Sequence, residues 1–243
     1  MSKNRGEMRT SFEEIELLKK TYSQNYNKIQ YKGLSGWAHK IYHKKLEGKY
    51  NFETDFDNVL EIGSGSGEHY HYVKHEYSNY FMTEYDEKQI VNLKKRFIDK
   101  KKVKIEFADI ERLHYVDDYF DRIIITCVLH HLNDIPKALS EIRRVTRNQG
   151  VISIYVPADP GILYRFVRMI AMIKKNKIRL NSGEVFNRKV LNAIEHPNHV
   201  QAIRDLIEYF FRKDHIKVSI FPFKVNLWNL NLFYVYQIKK NEN

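Results

Sequence analysis

One cysteine in 243 residues, Cys127, is too few for an internal disulfide or a multi-cysteine zinc or iron–sulfur site, and it fits a reducing compartment. Proline is scarce too: five residues, thinly scattered, with no low-complexity stretch or internal repeat to divide the chain into independent domains. There is no uninterrupted apolar run of roughly 18 residues, and Met1-Ser2-Lys3-Asn4-Arg5-Gly6-Glu7 lacks the apolar stretch of a secretion signal. The expectation is a cytoplasmic protein without a membrane span. Glycine is equally thin, ten in all, yet Gly63, Gly65 and Gly67 sit within five residues of one another. Such concentration in a glycine-poor chain needs a local cause.

The residues present describe a folded chain. Hydrophobic residues at 43%, with 17 Tyr and 14 Phe, exclude disorder, while 29% charged residues and a mean hydropathy of −0.56 exclude a membrane bundle. Lysine and arginine outnumber acids 41 to 30, a net charge of +11 that favours an anionic partner. Six of those cations (Arg165, Arg168, Lys174, Lys175, Lys177, Arg179) lie between Gly161 and Asn181, where there is no acid. A second cluster, Lys94-Lys95-Arg96 with Lys100 to Lys102, reads as a solvated face.

Periodicity gives the order of elements. Ser11-Phe12-Glu13-Glu14 has capping-box spacing, and a second amphipathic stretch covers Ser35 to Leu46, so residues 1–50 are expected to be helical. From Asp57 strands and helices alternate: strand at Val59–Ile62, helix at Glu68–His75, strand at Tyr80–Met82, helix at Asp86–Ile98 and strand at Val103–Phe107. Strand at Arg122–Cys127, a helix capped by Asp134 running to Val145, a connection ended by Gly150 and strand at Val151–Val156 follow. That succession implies a parallel α/β sheet with helices on both faces. Lys217–Phe221 and Leu232–Ile238 are too close for a helical crossover, so they should form an antiparallel hairpin. The implied organisation is 1–50 helical lid, 51–158 core, 159–212 helical insertion and 213–243 hairpin.

A glycine-rich loop between a strand end and a helix start lets backbone approach a ligand and presents amide donors to it. A dinucleotide fingerprint would need a small residue where Glu68 stands, and Gly-Lys-Ser/Thr is missing, which disfavours NAD and a P-loop. Val59-Leu60-Glu61-Ile62-Gly63-Ser64-Gly65-Ser66-Gly67 resembles motif I of the class I S-adenosylmethionine-dependent methyltransferases. Further segments match in order: Glu84 after Tyr80–Thr83, Asp109 in Phe107-Ala108-Asp109-Ile110, Asp121–Ile125 through Leu129-His130-His131-Leu132, and Arg144–Gly150. The resemblance covers residues 55 to 160. It implies a Rossmann-like, seven-stranded mixed sheet whose last strand is reversed. It also implies S-adenosylmethionine as cofactor, its ribose on Glu84, its adenine amino group on Asp109, and its methionine portion and sulfonium against Glu61, Gly63, Gly65, Thr126, Cys127 and Val128. Ser64, Gly67, Tyr85 and Ile110, interspersed among these matches, complete the implied cofactor set.

Methyl transfer from a sulfonium needs alignment and water exclusion, and a base only where the acceptor carries a proton. His131 is the first candidate, with His130 beside it and His196 and His199 in Glu195-His196-Pro197-Asn198-His199 as a second cluster. Each has a packing or capping alternative. His69, His71 and His75 suggest a metal, but no carboxylate and cysteine set completes a shell, so no metal is expected. Tyr22, Tyr26, Tyr31 and Trp37 resemble an aromatic lid, and the helix from Ile162 to Lys175 with Arg165 and Arg168 reads as a clamp for an anionic acceptor or a surface touching membrane. Base N-methylation and cytosine-C5 methylation are unsupported, because Thr126-Cys127-Val128-Leu129 replaces an Asn/Asp-Pro-Pro-Tyr loop and no Pro-Cys is present. The histidine-bearing loop after strand four, the Asp159-Pro160-Gly161 turn and Glu195–His199 resemble O-methyltransferases of small molecules and bacterial surface carbohydrates, which implies as acceptor an oxygen of a small molecule or bacterial surface (capsular) polysaccharide, including a phosphoryl or phosphoramidate oxygen. The alternatives are a nucleic-acid enzyme and a catalytically silent S-adenosylmethionine-binding protein.

Overall fold

The structure, a computed structural model, describes residues 33–173 and 196–242. The expected helix after Ser11, the lid tyrosines Tyr22, Tyr26 and Tyr31, the cations Lys174, Lys175, Lys177 and Arg179, and Glu195 lie outside the described residues. The elements run α1 (Gly33–Glu47), β1 (Asp55–Ile62), β2 (Glu76–Glu84), α2 (Glu87–Arg96), β3 (Val103–Phe107), β4 (Phe120–Thr126) and α3 (Ile135–Val145). They continue with β5 (Thr146–Pro157), α4 (Ile162–Ile173), α5 (Val200–Phe210), β6 (His215–Phe221) and β7 (Phe233–Lys239). The seven strands form one sheet in the order β3-β2-β1-β4-β5-β7-β6. All neighbours are parallel except β7, which runs antiparallel to both β5 and β6. Among the described residues no helix is long and apolar enough to cross a membrane.

Alternation along each strand divides the core into two layers. Leu60, Ile62, Ile123, Ile125, Ile152 and Ile154 face one side and pack with Ala138, Leu139 and Ile142 of α3 and Ile203 and Ile207 of α5. Val59, Met82 and Ile124 face the other side, against Leu93 and Phe97, while Tyr155, Phe233 and Val235 meet Tyr42 and Leu46 of α1 on that same side. In α3 the buried residues Ile135, Ala138, Leu139, Ile142 and Val145 recur at helical spacing. Its start is fixed by Asp134, whose Oδ1 accepts the Lys137 amide at 3.0 Å. Asp134→Ala should cost about 1 kcal/mol, read as a lower urea midpoint at unchanged m-value.

Two expectations need correction. Instead of a helix over Glu68–His75, only a single 3₁₀ turn, His69–Tyr72, precedes β2. The backbone is already extended at Val73, directly after the turn, and the strand starts at Glu76, four residues before the expected Tyr80. The sequence concealed this because the first halves of β1 and β2 are polar and half-exposed before four consecutive buried positions. Their register is held there by Asn58 and Asn79, whose side chains share a 3.0 Å hydrogen bond. Gly150 does not end a connection before the strand but lies within β5. There β5 pairs with β4 at Phe120↔Thr146, skips several residues and resumes at Arg122↔Val151, a bulge that absorbs Arg147 to Gly150.

Candidate active site

In chain order the sheet grows from β1 outward to β3, then returns to β4 on the other side of β1. The carboxyl ends of β1 and β4 are therefore the switch point at which open α/β sheets bind ligands. A cavity of about 610 Å³ lies there. Its walls are the glycine loop after β1 (Gly63, Gly65), the end of β2 (Glu84, Tyr85), the loop after β3 (Asp109, Ile110) and the end of β4 with the following turn (Thr126, Cys127, Val128, His131).

The three glycines serve different purposes, and all have positive φ. A Cβ on Gly63 would lie 2.4 Å from Val128 Cγ2, so glycine there lets the β4 loop close on the β1 loop. A Cβ on Gly67 would lie 2.4 Å from the Phe97 ring, which makes that glycine a packing requirement of α2. Among the described residues, a Cβ at Gly65 would meet nothing within 4 Å. The bare backbone at Gly65 thus faces the open cavity, as a closely approached ligand requires.

Carboxylates occupy the next two strand ends. Glu84 accepts the Gly65 amide on Oε2 and the Tyr85 amide on Oε1, both at 2.8 Å, which orients its head at the cavity wall. Asp109 Oδ1 accepts the Glu111 amide at 2.9 Å, with buried Ile110 beside it. Tyr85 is exposed and its ring lies 5.4 Å from that of Phe107. Glu61 sits deeper, fully buried below the loop. Its Oε2 accepts the Tyr80 hydroxyl at 2.6 Å, its Oε1 has no partner among the described residues, and burial raises its carboxyl above the ordinary range. Ser64 is tied back, its hydroxyl donating to the Glu61 carbonyl at 3.2 Å. Cys127, with φ +57°, holds a strained left-handed turn at the end of β4, and burial pushes its thiol up to about 12, so it is not a nucleophile at neutral pH. Glu61, Ser64 and Gly67 support the cavity from behind; the remaining expected cofactor residues line it.

The histidines converge at the far end. His131 lines the cavity, and the rings of His130, His131 and His196 lie 4.1 to 4.8 Å apart by centroid. Burial holds His130 well below the ordinary imidazole range, hence neutral. His196 Nδ1 lies 3.1 Å from Asp159 Oδ2, which also receives Arg168 at 3.2 Å. Burial works against ionisation of Asp159, but the His196 hydrogen bond and the Arg168 charge outweigh it and hold the carboxyl below its usual range. His199 stands apart, exposed at the start of α5, with no side-chain cap bond. The sequence reading did not single out Asp159 or Gln89, which also lines the cavity, as site residues. The Asp159-Pro160-Gly161 turn directly after β5 was the one signal that marked Asp159.

Residues 60–154 match the family described as a methyltransferase domain. An uncharacterized protein of Methanocaldococcus jannaschii is 37% identical over 113 residues, 46% of this chain and 44% of its own. The uncharacterized methyltransferase YcgJ of Bacillus subtilis is 32% identical over 124 residues, 48% of this chain and 47% of its own. The chain thus spans less than half the length of these curated relatives. A solved structure from Methanococcus maripaludis, described as a candidate S-adenosyl-L-methionine-dependent methyltransferase, superposes with a TM-score of 0.61 at 17% identity, covering 92% of this chain and 94% of that one. At that identity the likeness speaks for the fold. The matched residues 60–154 resemble a methyltransferase domain, and they lie in a seven-stranded mixed sheet with the class I methyltransferase fold.

Proposed function

We propose that this chain is an S-adenosylmethionine-dependent methyltransferase that places an oxygen acceptor, small-molecule or glycan, at the histidine end of the cavity. The observation that carries the reading is the joint placement of open Gly65, Glu84 and Asp109 on one side of a single cavity and His131 on another. Bound there, the cofactor would supply a methyl group on a good leaving group, so the chain has to position and desolvate the acceptor. Glu84 would take the ribose hydroxyls, a role suited to a carboxylate with two acceptor oxygens. Asp109 would take the adenine amino group, with Ile110 giving an apolar surface. Thr126, Cys127 and Val128, on the strained turn, would bound the reacting end.

An acceptor hydroxyl must shed its proton as the methyl arrives. The only imidazole on the cavity wall is that of His131, among the described residues, and His130 and His196 stand directly behind it. A phosphoryl oxygen would already be ionised, and Arg168, half-buried beside His196 and Asp159, would suit its charge. Arg165 on the same helix adds a second cation.

Calorimetric titration with S-adenosylhomocysteine, with NAD as control, tests the cofactor half. The wild type should bind one equivalent. Losing two charge-assisted hydrogen bonds in Glu84→Ala should weaken binding by roughly 150- to 20,000-fold, with Glu84→Gln in between. Tighter NAD binding, or no effect of Glu84→Ala, would sink the reading. The acceptor half is tested by transfer of labelled methyl to matched panels of hydroxyl, phosphoryl and amine acceptors; transfer confined to amines would overturn the oxygen assignment.

A further inference from the structure

We propose that His130, His131 and His196 bind one divalent transition-metal ion of the zinc class at the acceptor end of the cavity. One ring nitrogen from each of the three lies within 4.8 Å of the other two. Three imidazole nitrogens are a donor set that hard, oxygen-seeking cations do not favour and that Zn²⁺, Co²⁺ and Ni²⁺ do. Metal–nitrogen bonds of about 2.0–2.1 Å put tetrahedral ligand atoms roughly 3.3 Å apart, so the rings would close inward by small side-chain rotations.

The surroundings of the cluster are those of a built site. Asp159 Oδ2 lies 3.1 Å from His196 Nδ1; a proton held on that nitrogen leaves Nε2 as the lone-pair donor, as carboxylate partners of metal-bound histidines do. Arg168, 3.2 Å from the same carboxylate oxygen, balances its charge and favours the orienting role over ligation. The two ligand-bearing segments are remote in sequence yet fastened together, since Asn198 Nδ2 donates to the Leu132 carbonyl at 2.6 Å. His130 and His131 come from a single 3₁₀ turn, Leu129–His131, with His130 buried and His131 reaching the cavity wall. Three protein ligands leave a fourth position, the pattern of catalytic rather than structural zinc. That position would take the acceptor's oxygen and favour its ionised form.

Only this last role rests on the proposed methyl transfer; the binding of the ion does not. The test uses the full chain, stripped with a chelator and dialysed against Zn²⁺, with Co²⁺ as a visible probe. One equivalent should bind, and Co²⁺ should show the intense visible bands of a low-coordinate nitrogen site. His131→Gln and His196→Gln should each abolish the bands, Asp159→Asn should weaken the ion by about 10- to 100-fold, and His199→Gln, outside the cluster, should change nothing. S-Adenosylhomocysteine affinity measured on the same variants confirms that they are folded. Conversely, Glu84→Ala should lose that affinity and keep the ion, so failure of the cofactor reading and failure of the metal site give different results. No stoichiometric binding by the wild type, or binding indifferent to His131→Gln and His196→Gln, overturns the proposal.

Discussion

Glu47→Ala should lower the unfolding free energy by about 3–5 kcal/mol, the largest single-site effect expected in this molecule. Glu47 ends α1 and is almost fully buried. Its carboxylate accepts both Arg122 guanidinium nitrogens, at 2.6 and 3.0 Å, and lies 2.8 Å from His69 Nε2. Arg122, on central strand β4, has no exposed surface and its guanidinium lies 4.0 Å from the Tyr50 ring centroid. Removing Glu47 leaves that cation buried without its counter-ion, and the desolvation cost is no longer offset. The double variant Glu47→Met/Arg122→Met should recover most of the loss, because a buried ion pair exchanged for apolar groups of similar volume is close to neutral. Urea unfolding of Glu47→Met, Arg122→Met and the double variant closes the cycle; a double variant as destabilised as Glu47→Met would refute the argument.

The same network sets the response to acid. Burial works against ionisation of Glu47, but Arg122 and His69 prevail and lower its carboxyl to about 2. Burial, reinforced by His69 and His39, lowers His43 to about 2, and burial with Arg122 lowers His75 to about 4. In each case the unfolded chain binds the proton more readily, so the contribution to stability is complete above the unfolded pKa and is lost as pH falls. The histidines act first, from about pH 6.5 downward, and Glu47 joins below about 4.5. Stability should therefore already decline between pH 6 and 5, where carboxylates alone would leave it flat. His43→Leu should remove up to one proton, about 1.4 kcal/mol per pH unit, from that limb.

Very little of this network was visible in the chain. Arg122 reads as an ordinary polar interruption of an Ile-rich strand, and Glu47 as the charged end of an amphipathic helix, because their pairing spans 75 residues and no periodicity encodes it. The parallel core was legible for the opposite reason. Val103–Phe107 and the Asp134-capped α3 carry their own patterns of burial and capping, and the structure returns both within a residue. The glycine and carboxylate wall of the cavity was equally readable, since glycines and carboxylates at strand ends obey local rules. The histidine end was only half so: His130 and His131 follow β4 directly, but their convergence with His196 and Asp159 depends on how the segment before α5 folds back.

Alanine at the three loop glycines should separate packing from ligand contact. All three positions have positive φ, so each substitution carries roughly 1–2 kcal/mol of backbone strain. Gly67→Ala adds a clash with the Phe97 ring at 2.4 Å and a tight approach to Leu93 at 3.2 Å, both in a packed layer, worth about 1–3 kcal/mol more. It should be the least stable of the three. Gly63→Ala pushes on Val128, which borders the cavity, so stability and S-adenosylhomocysteine affinity should fall together. Gly65→Ala meets no neighbour among the described residues and should lose little beyond the strain, yet its methyl group would project into the cavity where the proposed cofactor would lie. The expected result is a protein that melts near the wild type and binds S-adenosylhomocysteine at least about tenfold more weakly, a loss of about 1.4 kcal/mol. Gly65→Ala binding as tightly as wild type would place the cofactor elsewhere, whereas Gly67→Ala as stable as Gly65→Ala would mean that Phe97 yields and that the loop is held by something other than its packing on α2.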